Sequence, residues 1–238
     1  MIRQLRASGG IWININGANM LLDPGPGSLI QCHKHAPLTN PETLDAIILS
    51  HKHIDHCSDV NVMIEAMTEG GFKKRGTVFC PADAIEGDPA ILKYAQKLPQ
   101  EIVILKEKAR YEYRDFSFET SMRHIHSSET YGLKFHTNNG TLAFLTDTKY
   151  FPELTDFYKA DIVIISTVFY NIRPDVDHLS VHELKNIIPK TNAKKIILTH
   201  FGLRMLEHGP SKAAEELSKE FGIEIAAAED GMEIALKS

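Results

Sequence analysis

The chemistry-bearing residues concentrate in one hexapeptide. His51-Lys52-His53-Ile54-Asp55-His56 packs three imidazoles and a carboxylate into six positions. It follows the apolar run Leu44-Asp45-Ala46-Ile47-Ile48-Leu49, which reads as a buried strand. Alternate side chains of an extended segment share a face, so His51 and His53 can meet one metal ion while a bend at Asp55-His56 turns those two toward a second. Imidazole is the commonest metal ligand, and a pair of ions is what two-metal hydrolysis requires. The bland alternative is a solvated polar loop, against which stands the rarity of four ligand-type residues at this spacing.

Ile47-Ile48-Leu49-Ser50-His51 and Ile196-Ile197-Leu198-Thr199-His200 are nearly the same phrase, and Leu142-Ala143-Phe144-Leu145-Thr146-Asp147 is a third variant. Each is an apolar strand, one hydroxyl residue, then a metal-capable side chain. Strand ends aimed at a common edge would bring His51, Asp147 and His200 together. Other elements frame them. Ile11-Trp12-Ile13-Asn14-Ile15 alternates, turns at Asn16-Gly17 and returns through Met20-Leu21-Leu22 as a hairpin. Asp23-Pro24-Gly25-Pro26-Gly27-Ser28 is irregular, with Ser28 placed to cap a following helix. Val60, Met63, Ile64 and Met67 form a helical stripe, so the histidine cluster lies in a strand-to-helix loop. Further strands are predicted near Val78-Phe79, Ile102-Leu105, Phe116-Glu119, Gly132-Phe135, Leu142-Leu145, Ile162-Ile165 and Ile196-Leu198, and helices over Ser180–Ile188 and Ser211–Phe221. The mixture is α/β. No Pro-, Gly- or Ser-rich linker divides it, so residues 1–238 are expected to form a single domain.

The chain has 238 residues, 43% of them hydrophobic and 24% charged, enough to bury a full core. Disorder and fibrous repeats are excluded. A net charge of −5 with only the short basic cluster Lys73-Lys74-Arg75 gives no electrostatic footprint for long nucleic acid, while a small phosphate substrate stays open. Cys32, Cys57 and Cys80 are odd in number and lack CxxC spacing, which favours packed thiols in a reducing cytoplasm over a disulfide framework. Met1-Ile2-Arg3-Gln4-Leu5-Arg6 has no signal-peptide character, and no apolar run is long enough to span a bilayer. A soluble cytoplasmic protein without a membrane partner is the expectation.

The HxHxDH pattern after an apolar strand resembles the signature of the metallo-β-lactamase superfamily, metal-dependent hydrolases built as four-layer αββα sandwiches. His126-Ser127-Ser128-Glu129-Thr130-Tyr131-Gly132 resembles its third histidine motif, Leu145-Thr146-Asp147-Thr148 its bridging-aspartate motif, and Thr199-His200-Phe201-Gly202 its last-histidine motif. The matches run in the superfamily's order from Asp23 to His200. The resemblance implies two divalent ions, zinc foremost with manganese or iron as alternatives. One would be held by His51, His53 and His126, a second by Asp55, His56 and His200, with Asp147 between them. Neutral imidazoles and two carboxylates, Asp55 and Asp147, leave much of the metal charge uncompensated, so a water there ionises near neutral pH. His124 competes with His126 for the third position, since the two share a face of any strand, and the gap to Tyr131-Gly132 favours His126.

Asp177-His178-Leu179-Ser180 followed by Thr199-His200-Phe201-Gly202-Leu203-Arg204 resembles the ribonuclease Z and phosphonate-pathway phosphodiesterase branch. There a histidine opening a short helix assists the leaving group, and His178 is the matching position; a plain helix-start histidine is the alternative. Asp177 can orient that imidazole or be an exposed acid. The branch's transfer-RNA enzymes carry an extended arm between the third histidine and the aspartate. Only twenty residues separate His126 from Asp147, which leaves no room for it. The implied function is therefore a binuclear phosphodiesterase of a small phosphodiester or nucleotide, with His178, Asp55 and Asp147 in the catalytic machinery. A thioesterase or lactone hydrolase on the same metals, or a non-catalytic metal-binding module, are the alternatives. Asp23 is expected either to support the ligands or merely to turn the chain, Tyr150 and Phe151 to wall the pocket or fill the core, and Cys57 to pack as a thiol. Lys73, Lys74 and Arg75 are read as phosphate contacts or a solvated loop. His33 and His35 lie on one predicted helix or loop that could reach the site mouth, with surface histidines the alternative, and His136, His182 and His208 match no motif.

Overall fold

The computed structural model describes residues 5–35 and 37–236. Most of the N-terminal segment on which the absence of a leader was judged therefore lies outside the described residues. The chain divides into two compact units, residues 1–106 and 107–238.

The first unit is built on a five-stranded sheet in the order β1-β2-β3-β4-β5. The predicted hairpin is β1 (Ile11–Ile15) and β2 (Ala18–Leu22). β3 (Ala46–Ile48), β4 (Thr77–Cys80) and β5 (Glu101–Ile104) then add in parallel. Leu21, Ile47 and Val78 are register partners across β2, β3 and β4. They share one core with all four stripe residues of helix α3 (Val60–Met67), Val60, Met63, Ile64 and Met67, each fully buried. Helix α1 (Ser28–Lys34) starts at Ser28, with Gly27 at the cap position in a left-handed conformation. The expected serine cap is therefore corrected: the Ser28 hydroxyl donates to Gly25 O at 2.8 Å, since the Pro-Gly turn brings that carbonyl within reach.

The second unit carries a seven-stranded sheet in the order β12-β11-β10-β9-β8-β7-β6. β6 (Arg110–Tyr113), β7 (Phe116–Arg123), β8 (Tyr131–Thr137) and β9 (Gly140–Leu145) form an antiparallel meander. β10 (Ile162–Ser166), β11 (Lys195–Thr199) and β12 (Glu224–Ala227) continue it in parallel. Helix α4 (Val181–Thr191) opens with a capping box in which the Ser180 hydroxyl accepts from Glu183 N–H and the Glu183 carboxylate accepts from Ser180 N–H. It runs past the predicted end at Ile188 because Leu184, Ile187, Ile188 and Thr191 keep a buried stripe going through Pro189. Helices α5 (Leu203–His208) and α6 (Pro210–Phe221) follow. Met205, Ala213, Ala214 and Leu217 from these helices join Ile187, Val163 and Ile196 in one core. Each unit is thus a sheet with helices packed on it, the α/β class expected.

Asp161 staples the second sheet at the entry to β10. Its carboxylate accepts from Thr141 N–H at 2.8 Å and from the Thr141 hydroxyl at 2.9 Å, and pairs with Lys194 at 2.8 Å. The Lys194 ammonium and then the Thr141 donors hold its pKa down to about 2. The stabilisation is complete above the unfolded carboxylate pKa of about 4 and is lost as pH falls through the folded value. Thermal unfolding midpoints of the parent and Asp161→Asn are expected to differ at about pH 6 and to converge between about pH 4 and pH 2. A gap that stays constant through that window would contradict the assignment.

Candidate metal centre

In the first unit the ligand-type residues follow the carboxyl ends of neighbouring parallel strands. Leu22 of β2 pairs with Ile48 of β3, which sets Asp23 beside the Ser50-His51 step. The Asp23 carboxylate accepts from Ser50 N–H at 2.7 Å, from the Ser50 hydroxyl at 2.6 Å and from His56 Nδ1 at 2.9 Å. With its proton committed to Asp23, the Ser50 oxygen accepts from His51 Nδ1 at 2.9 Å. One buried carboxylate thereby fixes two imidazoles, leaving the Nε2 of each with a lone pair to offer a cation. Asp23 is the supporting residue rather than a plain turn, and it adopts a left-handed φ of 51° to serve, a conformation that costs on the order of 1 kcal/mol and clusters at functional sites.

Asp55 and His56 lie on the short helix α2 (Ile54–Cys57), with His53 at its cap position. This supplies the bend expected of the hexapeptide. The His51 ring centroid is 4.8 Å from His53 and 4.1 Å from His56. The chain below is packed tightly: a Cβ on Gly25 would overlap the backbone oxygens of Asp55 and Ser8. Cys57 packs as expected, its thiol donating to Lys52 O at 3.0 Å while burial pushes its pKa up to about 12.

In the second unit the echo of strand phrases becomes geometry. β9 and β11 both flank β10 in parallel, so Asp147 and His200 leave the same edge of the sheet and His178 enters from the segment after β10. Asp147 is 2% exposed. One of its carboxylate oxygens lies 3.4 Å from His200 Nε2 and 3.6 Å from His178 Nδ1. His178 faces His200 at 5.9 Å and His126 at 5.2 Å between ring centroids. His200 has a left-handed φ of 60°, a second strained residue among the candidates.

His124 and His126 do not share a strand face, because β7 ends at Arg123. His124 is buried, donates from Nδ1 to Asp147 O at 3.0 Å and accepts at Nε2 from the Tyr158 hydroxyl at 2.6 Å. Burial drives its pKa down to about 4. Both nitrogens are thus used by the protein. His126 donates from Nδ1 to Asp177 O at 3.1 Å, which again directs Nε2 outward. Gly132 of the Tyr-Gly step makes the Tyr158 contact feasible, since a Cβ there would overlap the tyrosine hydroxyl.

The donors of each unit suit a divalent metal: His51 and His56 of the first, and His126 of the second, each spend Nδ1 on a protein oxygen and keep Nε2 as an acceptor. Ser50 is the residue that motif reading passed over, although the hydroxyl in each echoed phrase was its signal. Ser50→Ala removes the acceptor for His51 Nδ1–H and is expected to weaken metal affinity by roughly 10- to 100-fold, as losses of such supporting contacts do. Chelator competition measures this, and an unchanged affinity would refute the relay.

Several other readings resolve toward structure. Arg75 donates to Glu42 O and Leu44 O and pairs with Asp45, while Lys73 pairs with Glu69, so most of the basic cluster is occupied within its own unit. Tyr150 and Phe151 pack against the second unit's core. His136 sits beside Glu119, and His182 and His208 pack on Tyr170.

The family described as Beta-lactamase superfamily domain matches residues 18–201. An uncharacterized protein of Methanocaldococcus jannaschii is 27% identical over 244 residues, covering 99% of this chain and 90% of its own. The probable metallo-hydrolase YhfI of Bacillus subtilis is 25% identical over 201 residues, 82% of this chain and 80% of that one. The crystal structure of YhfI, a metallo-β-lactamase fold protein, superposes with a TM-score of 0.77 at 20% identity, over 95% of this chain and 90% of that chain. A diphosphatase of the PhnP family superposes with a TM-score of 0.71 at 21% identity, over 94% and 81%. These likenesses establish the fold. Among the described residues no helix is long and apolar enough to cross a membrane.

Proposed function

From the premise that this chain belongs to the metallo-β-lactamase superfamily, we propose that it is a cytoplasmic binuclear phosphodiesterase, a single hydrolase domain acting on a small phosphodiester or nucleotide. One ion is assigned to His51, His53 and His126, the other to Asp55, His56 and His200, and Asp147 to both. When bound, two such ions, zinc first among the candidates, supply Lewis acidity and acidify water. The chain's own residues do the rest. Asp23 and Ser50 keep His51 and His56 in the ligating tautomer, and the Asp177 carbonyl does so for His126.

The observation that carries the phosphodiester reading is the placement of His178. Its side chain is 25% exposed, stands beside Asp147 and among the rings of His126 and His200, and is neither a helix cap nor a core residue: Ser180 caps α4. An imidazole there can stabilise charge on phosphoryl oxygens or give a proton to the departing oxygen. The PhnP-family neighbour is a diphosphatase, which also works at phosphorus. The stretch between His126 and Asp147 is filled by β8, a tight turn and β9, which favours a small substrate over transfer RNA.

The test is turnover of a panel of phosphodiesters, thioesters and lactones after reconstitution with Zn or Mn, alongside elemental analysis. Phosphodiesters are expected to turn over fastest. Turnover of thioesters or lactones alone would overturn the phosphodiester reading, and full metal content with no turnover of any ester would make the protein a metal-binding module.

A further inference from the structure

Residues 170–178 form a loop closed at its neck. Val168 N–H and Phe169 N–H both donate to Leu179 O, at 3.1 and 3.3 Å, and Val181 N–H donates back to Phe169 O at 2.9 Å. The neck fixes where the loop begins and ends but not how its body leans, and His178 is the last residue of that body. Tyr170 at its start donates to Glu216 and packs on His182 and His208, and two further side chains hold carbonyls nearer His178. His126 Nδ1 donates to Asp177 O at 3.1 Å, and the Lys149 ammonium donates to Pro174 O at 2.7 Å. Lys149 is itself anchored, two residues after Asp147, by its own N–H on Ile125 O at 3.0 Å. Arg173, the loop's own cation, is committed to Asp175 at 3.0 Å and lies over the Phe169 ring.

We propose that Lys149 is a positioning residue for His178: by clamping Pro174 O it holds the loop body on the segment that carries Asp147 and thereby fixes where the His178 imidazole stands. The inference rests on the reading that His178 serves the reacting phosphoryl group. A charged donor on a carbonyl makes one of the stronger hydrogen bonds available, and a misplacement of about 1 Å at a reacting group costs on the order of 10²-fold in rate.

The experiment compares Lys149→Met, Lys149→Arg, His178→Ala and the double variant Lys149→Met/His178→Ala. Lys149→Met keeps the aliphatic stem and loses the donor. It is expected to lower kcat on a phosphodiester by roughly 10- to 100-fold, with KM and metal content at parental values. Amide hydrogen exchange across residues 171–177 of the metal-free protein is expected to speed up while the sheet stays protected. Lys149→Arg, which can donate to the same carbonyl, is expected to retain most of the rate. The double variant is expected to be no slower than His178→Ala alone, because the lysine acts through the histidine. Parental kcat and exchange in Lys149→Met would overturn the proposal, as would a rise in KM alone, which would make Lys149 a substrate contact, or multiplicative losses in the double variant. A silent His178→Ala would instead refute the underlying reading of His178, and the proposal with it.

Discussion

Asp147→Ala is expected to release both metal ions together and to cut hydrolysis by roughly 10⁴-fold or more, the scale seen when one member of a catalytic unit is removed. The carboxylate is 2% exposed and lies within 3.6 Å of both His178 and His200, and it is the one group assigned to both ions. His200 is assigned to the second ion alone, so His200→Ala is expected to retain the first. Elemental analysis after identical reconstitution and dialysis separates the two patterns, with Asp147→Asn as the variant that preserves side-chain shape. Asp147→Ala protein carrying as much metal as the parent would refute the bridging assignment. Loss of the second ion alone would reduce Asp147 to a ligand of one site.

What could be read from the residues, and what could not, divides by the range of the contact involved. The echo of Ile47–His51, Leu142–Asp147 and Ile196–His200 was legible because a parallel strand delivers whatever follows it to the edge of its own sheet, β3 in the first sheet and β9 and β11 in the second. The pairing of β9, β10 and β11 then does for Asp147 and His200 what the echo required. The stripe of α3 was legible because burial and helical period coincide. By contrast, β6 alternates between exposed and half-buried positions at a sheet edge, and α5 has six residues with only Met205 buried. Neither presents a face that periodicity can detect.

The gap to Tyr131-Gly132 favoured His126 over His124, but the contacts that occupy His124 were out of local reach. What uses both nitrogens of His124 is a carbonyl 23 residues on and a hydroxyl 34 residues on. The glycine that leaves room for that hydroxyl had a visible position but no visible reason. Ser50 shows the same limit, since its role depends on a carboxylate 27 residues away. Ligands announce themselves by type and spacing, whereas the groups that set their tautomers are ordinary residues made special by topology.

His178→Ala separates chemistry from coordination. The side chain is 25% exposed and its Nδ1 lies 3.6 Å from Asp147, so the ring stands beside the proposed ligands, and it is assigned to neither ion. Its removal is expected to leave metal content and fold intact while lowering kcat by roughly 10² to 10⁴, the usual worth of general acid catalysis. The loss is expected to depend on the leaving group. A nitrophenolate departs without much protonation, so a nitrophenyl phosphodiester is expected to lose less than an alkyl one, where the departing alkoxide needs a proton as the bond to phosphorus breaks. Equal losses for both would recast His178 as an electrostatic contact to the phosphoryl oxygens. No loss for either would remove the one structural reason to prefer phosphodiesters over thioesters or lactones.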